Sequence, residues 1–138
     1  MSTLIQVTKE LSKEYANVFH MTIGGDGYGD AKQYGDRIPA VWVNNENFYI
    51  SSAVSGNPNY RQLYDYNLNQ WYHFEIIQEE NSKGEVIYSI LMDGFTVNQV
   101  VNTLPQRFEK VILYTSDPFY MSFAPFGELK NLKIVNLG

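Results

Sequence analysis

The segment from Gly24 to Arg37 concentrates glycine and carboxylate oxygen in a way that could hold a metal ion. It contains Asp26, Asp30 and Asp36 between two predicted strands. Ca²⁺ takes about six to eight oxygen ligands, and a loop flexed by glycine can wrap them around the ion. The EF-hand spacing of aspartates is absent. We therefore expect these aspartates either to bind Ca²⁺ or to serve turns in a solvated connecting loop. No other cofactor is predicted.

A second candidate site lies in the tyrosine- and amide-rich middle of the chain. Tyr60, Tyr64 and Tyr66 alternate along one predicted strand, and amide side chains surround them in sequence. Sugars stack on aromatic rings, while amide, acid and guanidinium groups bond their hydroxyls. The predicted ligand-binding surface comprises Tyr28, Tyr34, Asp36, Arg37, Asn57, Asn59, Tyr60 and Tyr64. The alternative is that the tyrosine stripe packs inside the protein with its hydroxyl groups at the rim.

Catalysis has little support among the remaining polar residues. Glu75 and Glu79 share a strand face, but their spacing separates the Cα atoms by about 13 Å. The carboxylates of a glycosidase usually lie roughly 5–9.5 Å apart. His20 and His73 are the only histidines, no G-x-S-x-G sequence occurs, and cysteine is absent. A serine triad, a thiolate nucleophile and a cysteine-based zinc site thus lack support. We predict no catalytic residue and expect that the chain is not an enzyme.

Length and charge limit the classes of partner. The 138 residues suit a single domain, 1–138, that needs no disulfide to fold. Asp and Glu number 15 against 10 Lys and Arg, which gives a net charge of −5. This balance argues against nucleic acid, whose recognition needs clustered positive charge. No stretch approaches the roughly 20 apolar residues that insertion into a membrane requires. The first residues do not read as a signal peptide, so the sequence leaves localisation open.

The elements that must position these residues are strands. Aromatic residues make up 15% of the chain, and no segment carries a sustained helical stripe. In Trp71–Glu79, the alternation of side chains puts Tyr72, Phe74 and Ile76 on one face and leaves the other face partly exposed to solvent. Asp93-Gly94 predicts a two-residue type I′ hairpin turn. Strands are predicted at 3–7, 15–23, 38–43, 47–54, 60–66, 71–79, 85–92, 95–101, 110–115 and 127–135.

Four of these segments together resemble the concanavalin A-like lectin and laminin G-like superfamily. They are the entry strand 10–21, the run Asn69–Ile76, the hairpin Tyr88–Gly94 and the closing Gly127–Ile134. The resemblance implies an all-β, two-sheet antiparallel jelly-roll sandwich. It also raises the expectation of Ca²⁺ and favours an extracellular location. The tight acidic motif of the glucanases in this superfamily has no match here.

Together these observations predict a non-catalytic recognition module that binds carbohydrate in the manner of a lectin. One alternative is a protein-binding or adhesion domain of laminin G type, and a less favoured one is a glycoside-acting enzyme. The expected partner is a glycan or glycoprotein, with neither nucleic acid nor membrane insertion. Homo-oligomers would supply avidity, because a single shallow sugar site binds weakly.

Overall fold

Ten β-strands follow one another along the chain in a computed structural model that describes residues 1–9, 14–24, 32–115 and 127–135. Each predicted strand is confirmed, with its ends shifted by a few residues. No helix occurs in the described ranges, so none there is long and apolar enough to cross a membrane. The strands are β1 (Ser2–Val7), β2 (Ala16–Thr22), β3 (Ala40–Val43), β4 (Asn47–Val54), β5 (Asn57–Asp65), β6 (Trp71–Glu80), β7 (Val86–Met92), β8 (Phe95–Val101), β9 (Ile112–Tyr114) and β10 (Gly127–Lys133).

The strands pair into two five-stranded sheets. Sheet A has the order β10-β1-β6-β7-β8, and sheet B has the order β5-β4-β3-β2-β9. Every recorded strand pair is antiparallel. The two sheets bury their inner faces against each other, because each needs a partner to cover its apolar side. The predicted all-β, two-sheet antiparallel sandwich is therefore confirmed.

The core lies between the sheets and is rich in aromatic rings. Tyr72, Phe74 and Ile76 of β6 point into it, as the alternation predicted. From sheet B, Phe48 meets them, and its ring centroid lies 5.0 Å from that of Phe74 in an edge-to-face arrangement. Such edge-to-face pairs add to the stabilisation that burial of the rings already provides.

The β7–β8 hairpin turns at Asp93 and Gly94, as predicted. Their φ angles are 53° and 84°, the positive values that a type I′ turn requires at both positions. The turn is also tied to β6, because the Asp93 amide donates to the His73 carbonyl at 2.8 Å. In return, the His73 amide donates to the Asp93 carboxylate at 2.9 Å.

Strand β10 starts at a glycine for a steric reason. Gly127 pairs with Val7 of β1, and a Cβ atom added to it would collide with the carbonyl oxygen of Gln6. A glycine at this place lets the backbone of β10 approach the edge of β1.

Candidate functional site

The outer face of sheet B carries a group of polar and aromatic side chains that we name the arginine–aromatic cluster. Its members come from β2 to β5 and from the loops before β2 and β3, and several are almost completely buried. The cluster consists of Tyr15, His20, Arg37, Trp42, Tyr49, Ser51, Asn59 and Arg61.

Strand register explains how the cluster forms. The Asn44 side-chain oxygen accepts from the amides of Glu46 and Asn47, at 2.9 and 2.8 Å, and so closes the β3–β4 turn. The register that follows sets Trp42 opposite Tyr49, and their ring centroids lie 5.3 Å apart. The next pairing sets Ser51 opposite Arg61 of β5.

Arg37 is the centre of the cluster. Its guanidinium carbon lies 4.3 Å above the centroid of the Trp42 ring, within the range of a cation–π interaction. Its Nη1 donates to the Asn59 side-chain oxygen at 2.8 Å and to the Tyr49 hydroxyl at 3.3 Å. Only 1% of Arg37 is exposed, so the charge is held by these contacts rather than by bulk water.

The loop before β3 holds Arg37 in place through the neighbouring carboxylate. The Asp36 side chain accepts from the amides of Lys32 and Gln33, at 3.1 and 2.9 Å. The Ile38 amide then donates to the Met21 carbonyl at 2.9 Å, which anchors the loop to β2. Asp36 therefore shapes the loop that carries Arg37.

Three donors meet at the side-chain oxygen of Asn59. Besides Arg37, the Tyr49 hydroxyl donates at 3.1 Å and the Ser51 hydroxyl at 2.5 Å. Because all three partners donate, the Asn59 atom that they share must be the amide oxygen, and the NH₂ group points in another direction. In the described part of the chain, no acceptor bonds that NH₂ group, and Asn59 is partly exposed. It is therefore a fixed donor at the surface.

The rest of the exposed rim is aromatic and carries charge of both signs, because both Arg61 and Glu46 act on the pKa of Tyr15. Arg61 is exposed, and its guanidinium carbon lies 6.0 Å from the Tyr49 ring centroid. Tyr15 packs edge-on against Tyr49 and donates its hydroxyl to Asn47 at 2.7 Å. Burial raises the pKa of Tyr15 above its ordinary value, and the charge of Arg61 partly opposes the rise. The rim thus presents a neutral phenol beside a permanent positive charge.

His20 is a buried member of the cluster that contacts both Trp42 and the loop before β3. It is fully buried, and its Nε2 lies 2.6 Å from the Asp36 carbonyl oxygen. A carbonyl oxygen can only accept, so Nε2 carries the proton. The ring also packs edge-on against Trp42, with centroids 5.5 Å apart. His20 therefore orients both the indole and the loop of Arg37.

Of the predicted ligand-binding residues that the structure describes, Arg37 and Asn59 are joined by a hydrogen bond between their side chains. The Asn57 side chain accepts from the Asn59 amide at 2.9 Å within the β4–β5 turn. The Tyr34 hydroxyl donates to the Leu104 carbonyl at 2.7 Å. Tyr28 lies outside the described residues.

The prediction of one surface that includes Tyr60 and Tyr64 needs correction. Along β5, odd-numbered residues point outward, whereas Tyr60, Tyr64 and Tyr66 pack against the core between the sheets. These tyrosines therefore agree with the alternative given above, in which the tyrosine stripe packs inside the protein. Burial raises the pKa of Tyr64 to about 12. The tyrosines of β5 face inward because large rings on the inner face of sheet B fill the space between the two sheets.

Sequence reasoning did not assign His20, Trp42, Tyr49 or Ser51 to a site. One signal was available, because β3 and most of β4 are apolar or aromatic on both of their faces. A strand of that kind indicates that its outer face is also covered. The pairing of Trp42 with Tyr49 across the β3–β4 turn would then have pointed to this face.

The calcium prediction stays a prediction. Asp26 and Asp30 lie outside the described residues, and the Asp36 carboxylate is engaged by the two backbone amides of its own loop. Within ranges 1–9, 14–24, 32–115 and 127–135, no group of three or more His, Cys, Asp or Glu side chains could hold a metal ion.

Comparison with known proteins shows a distant likeness in structure. No protein-family model and no curated protein sequence matches the chain. The chain is similar to the crystal structure of an endo-beta-1,4-glucuronan lyase from the fungus Trichoderma reesei, with 14% identity and a TM-score of 0.47. The match covers 73% of this chain and 47% of that one, so this chain spans less than half of the lyase.

This likeness corrects one expectation. The similar protein is an enzyme, and the prediction that the present chain is not an enzyme is therefore withdrawn. A sandwich fold does not by itself exclude catalysis, because one fold can carry many functions. The concanavalin A-like resemblance gains no support from a family match.

Proposed function

We propose that the arginine–aromatic cluster is a carbohydrate-binding site. The observation that carries the proposal is the convergence of Arg37, Tyr49 and Ser51 on the side-chain oxygen of Asn59. This arrangement holds the Asn59 NH₂ group as an outward-facing donor before a ligand arrives, so binding loses no further side-chain entropy there. Preorganised polar groups beside aromatic rings are typical of sites that bind sugars.

The exposed rim favours a sugar that carries a carboxylate. Arg61 is exposed beside Tyr49, on a chain whose net charge is −5. A guanidinium group can bind a carboxylate through two parallel hydrogen bonds. The rim of Tyr15 supplies an aromatic edge next to it. We therefore propose acidic saccharides as the preferred ligands, with glycans or glycoproteins as the partners that present them.

A rim of this extent makes a weak site. A single sugar ring is expected to bind at around 1 mM, or about −4 kcal/mol. Several copies of the domain, or a ligand with repeated acidic units, would raise the effective affinity. The proposal thus includes multivalent binding, either through a homo-oligomer or through a polymeric ligand.

The test is a glycan array that includes neutral sugars and uronate-containing polymers such as glucuronan. Binding to acidic glycans is expected, and Arg61→Ala should remove most of it. Arg107→Ala is the matched control, because Arg107 is exposed but lies outside the cluster. Silence of the folded protein on the array would overturn the proposal and favour protein recognition of the laminin G type.

Asn59→Asp separates binding from folding. The new carboxylate still accepts from Arg37, Tyr49 and Ser51, so the melting temperature should be kept. It cannot donate, and it repels an acidic sugar, so affinity should fall at least about tenfold, which corresponds to roughly 1.4 kcal/mol. Unchanged affinity would show that the Asn59 NH₂ group does not contact the ligand.

A second candidate function is cleavage of an acidic polysaccharide by β-elimination. The Tyr49 hydroxyl bonds both a guanidinium and an amide, which are groups that can hold a carboxylate while a hydroxyl exchanges a proton at the neighbouring carbon. In that reaction the Tyr49 oxygen would take the C5 proton, the C4–O bond would break as a C4=C5 double bond forms, and the departing O4 would take up a proton. Ultraviolet absorbance of the unsaturated product would reveal it, and Tyr49→Phe should abolish it.

A further inference from the structure

Sheet A has a gap in line with β1, next to Met1. The Met1 ammonium donates to the Ile76 carbonyl at 2.8 Å, and the Ile76 amide donates to the Met1 carbonyl at 2.8 Å. Strand β6 continues past Ile76 as far as Glu80. Among the described residues, no strand pairs with β6 beyond Ile76 on the side of β1. We name the space beside residues 77–80 of β6 the strand slot.

The strand slot exposes backbone groups that can pair with another strand. The backbone of Ile76 points toward β1, and the N–H and C=O groups of successive residues in a strand point to opposite sides. The backbone groups of Gln78 and Glu80 therefore point into the slot. Those of Ile77 and Glu79 point toward β7, which pairs with them. An open strand edge is a template for pairing with a further extended segment.

The strand slot is as wide as one strand. Strand β1 lies between β6 and β10, and Lys133 of β10 stands opposite Ser2. Ile134 and Val135 follow Lys133 and border the slot on the side away from β6. Neighbouring strands lie about 4.8 Å apart, so the two borders are about 9.6 Å apart, which is twice that spacing. A single extended chain fits between them.

The floor of the strand slot is apolar and uncovered. Sheet B and the segments that adjoin it supply the floor, which consists of Met21, Ile38, Pro39, Phe108 and Val111. Gln78 follows Phe74 and Ile76 on the inner face of β6, yet Gln78 is exposed. A strand in the slot would direct every second side chain onto this floor and exchange water for hydrocarbon contact.

The charges around the strand slot favour a negative group at the end next to β1. The positive groups are the Met1 ammonium, Arg107 and Lys133, and the negative groups are Glu75 and Glu79. The sum is one positive charge. A segment that runs in the same direction as β1 would bring its carboxyl end toward the Met1 ammonium, whereas the opposite direction would bring two ammonium groups together.

We propose that the strand slot binds the carboxyl-terminal segment of a partner protein, which adds to sheet A as a strand antiparallel to β6. The last residue of the segment lies opposite Gln78, exchanges two backbone hydrogen bonds with it, and turns its carboxylate toward the Met1 ammonium. Directly opposed residues of a sheet share a face, so the last and third-last side chains point to the floor. The slot therefore selects a carboxyl terminus of the pattern apolar–polar–apolar.

This site is independent of the proposed carbohydrate site. None of the residues of the arginine–aromatic cluster lines the strand slot. Failure of one proposal would therefore leave the other unaffected.

The test is fluorescence polarisation of a fluorescein-labelled hexapeptide, Gly-Gly-Ser-Val-Thr-Val with a free carboxylate, titrated with the full chain. A saturable rise is expected. The same peptide with a carboxyl-terminal amide should bind about tenfold more weakly, because it loses the charge-assisted contact with the ammonium. Absence of saturable binding, or equal affinity for the acid and the amide, would overturn the proposal.

Val111→Trp tests the floor of the strand slot. The indole should fill the space that the peptide side chains need, and so remove the binding. The matched control is Leu113→Trp, because Leu113 is exposed to a similar degree and does not line the slot. Equal loss in both variants would contradict the assignment of the floor.

Hydrogen exchange of the unmodified protein tests the pairing with β6 directly. The peptide should slow exchange of the Gln78 and Glu80 amides, which point into the slot, because each gains a hydrogen-bond acceptor or is covered. Exchange of the Ile77 amide should stay as it is, since Ile77 already pairs with Ser89 of β7. Unchanged exchange at Gln78 in the presence of bound peptide would overturn strand addition.

A covalent strand provides an independent test. Adding Val-Thr-Val-Thr directly before Met1 continues β1 into the strand slot with both valines on the inner face. This extension should raise the melting temperature and prevent peptide binding, whereas Gly-Ser-Gly-Ser at the same place should do so far less. Equal melting temperatures of the two extended proteins would contradict a slot that accepts a strand.

Discussion

At the scale of single residues, the contact between Arg37 and Asn59 links the core of the cluster to its exposed rim. Arg37 is buried over Trp42, whereas Asn59 reaches the surface. A buried guanidinium needs acceptors, and the amide oxygen of Asn59 supplies one at 2.8 Å. The same amide can therefore stabilise the fold on one side and contact a ligand on the other.

Asn59→Ala should destabilise the protein by about 2–3 kcal/mol, because it leaves buried donors of Arg37, Tyr49 and Ser51 without their shared acceptor. Asn59→Asp should keep the stability, since a carboxylate oxygen replaces the amide oxygen. Urea denaturation of both variants measures the difference. Equal stability of the two variants would show that the shared oxygen contributes little to the fold.

The inward tyrosines predict a loss of stability in alkali. Burial raises the pKa of Tyr64 from 10.0 to about 12, so the folded state keeps this proton to a higher pH than the unfolded state does. The stabilisation is complete below about pH 10 and is lost as the pH rises toward about 12. Tyr64→Phe should flatten the decline of the urea midpoint over this interval. An equally steep decline in the variant would contradict the assignment.

At the scale of elements, each strand of the sandwich has two different faces. In β6, Tyr72, Phe74 and Ile76 fill the core, while His73 and Glu75 lie on the outer side of sheet A. In β5, the inner face is tyrosine and the outer face belongs to the cluster. The side-chain period of two residues is therefore what places the core residues and the cluster residues on opposite faces of the same strand.

Phe74→Ala tests the assigned face of β6. The ring is fully buried, and its removal should cost roughly 3–5 kcal/mol by leaving a cavity. The neighbouring His73→Ala is the matched control and should cost under about 1 kcal/mol. Both values come from chemical denaturation. Similar costs at the two positions would place the core on the wrong face of the strand.

Gly127→Ala tests the junction of β10 with β1. The added methyl group would meet the Gln6 carbonyl, and the strands must move apart to accept it. We expect a loss of roughly 1–3 kcal/mol and faster hydrogen exchange of the β1 amides that face β10. Glu128→Ala, one residue further along the same strand and exposed, should change neither quantity. Normal stability of the glycine variant would show that β10 can shift without cost.

At the scale of the whole molecule, the sequence predicts the sandwich well and the site poorly. Alternation and turn residues act over a few positions, so they define strands such as β6 and turns such as Asp93-Gly94. The cluster depends on contacts between distant segments, such as Arg37 with Asn59 and Tyr15 with Asn47. Whether an odd or an even face of β5 points outward depends on where the other sheet packs, and local sequence does not contain that information.

Calcium is expected to leave the stability of the whole molecule unchanged. A ligand that binds only the native state raises the melting temperature by mass action. The Asp36 carboxylate, however, is already engaged by backbone amides of its own loop. Melting curves in millimolar Ca²⁺ and in chelator should therefore coincide. A higher melting temperature in Ca²⁺ would support the metal site predicted at Asp26, Asp30 and Asp36.

The division of β5 into two faces has a practical meaning for anyone who wishes to change what the protein binds. Randomising positions 61 and 63 would vary the outward surface and leave the inward tyrosines and the shared oxygen of Asn59 in place. Inserting a single residue into the Ser55–Gly56 turn would exchange the two sets, sending rings into water and a guanidinium into the core. Libraries for altered specificity should therefore vary residue type at fixed length, and length variation belongs in other loops.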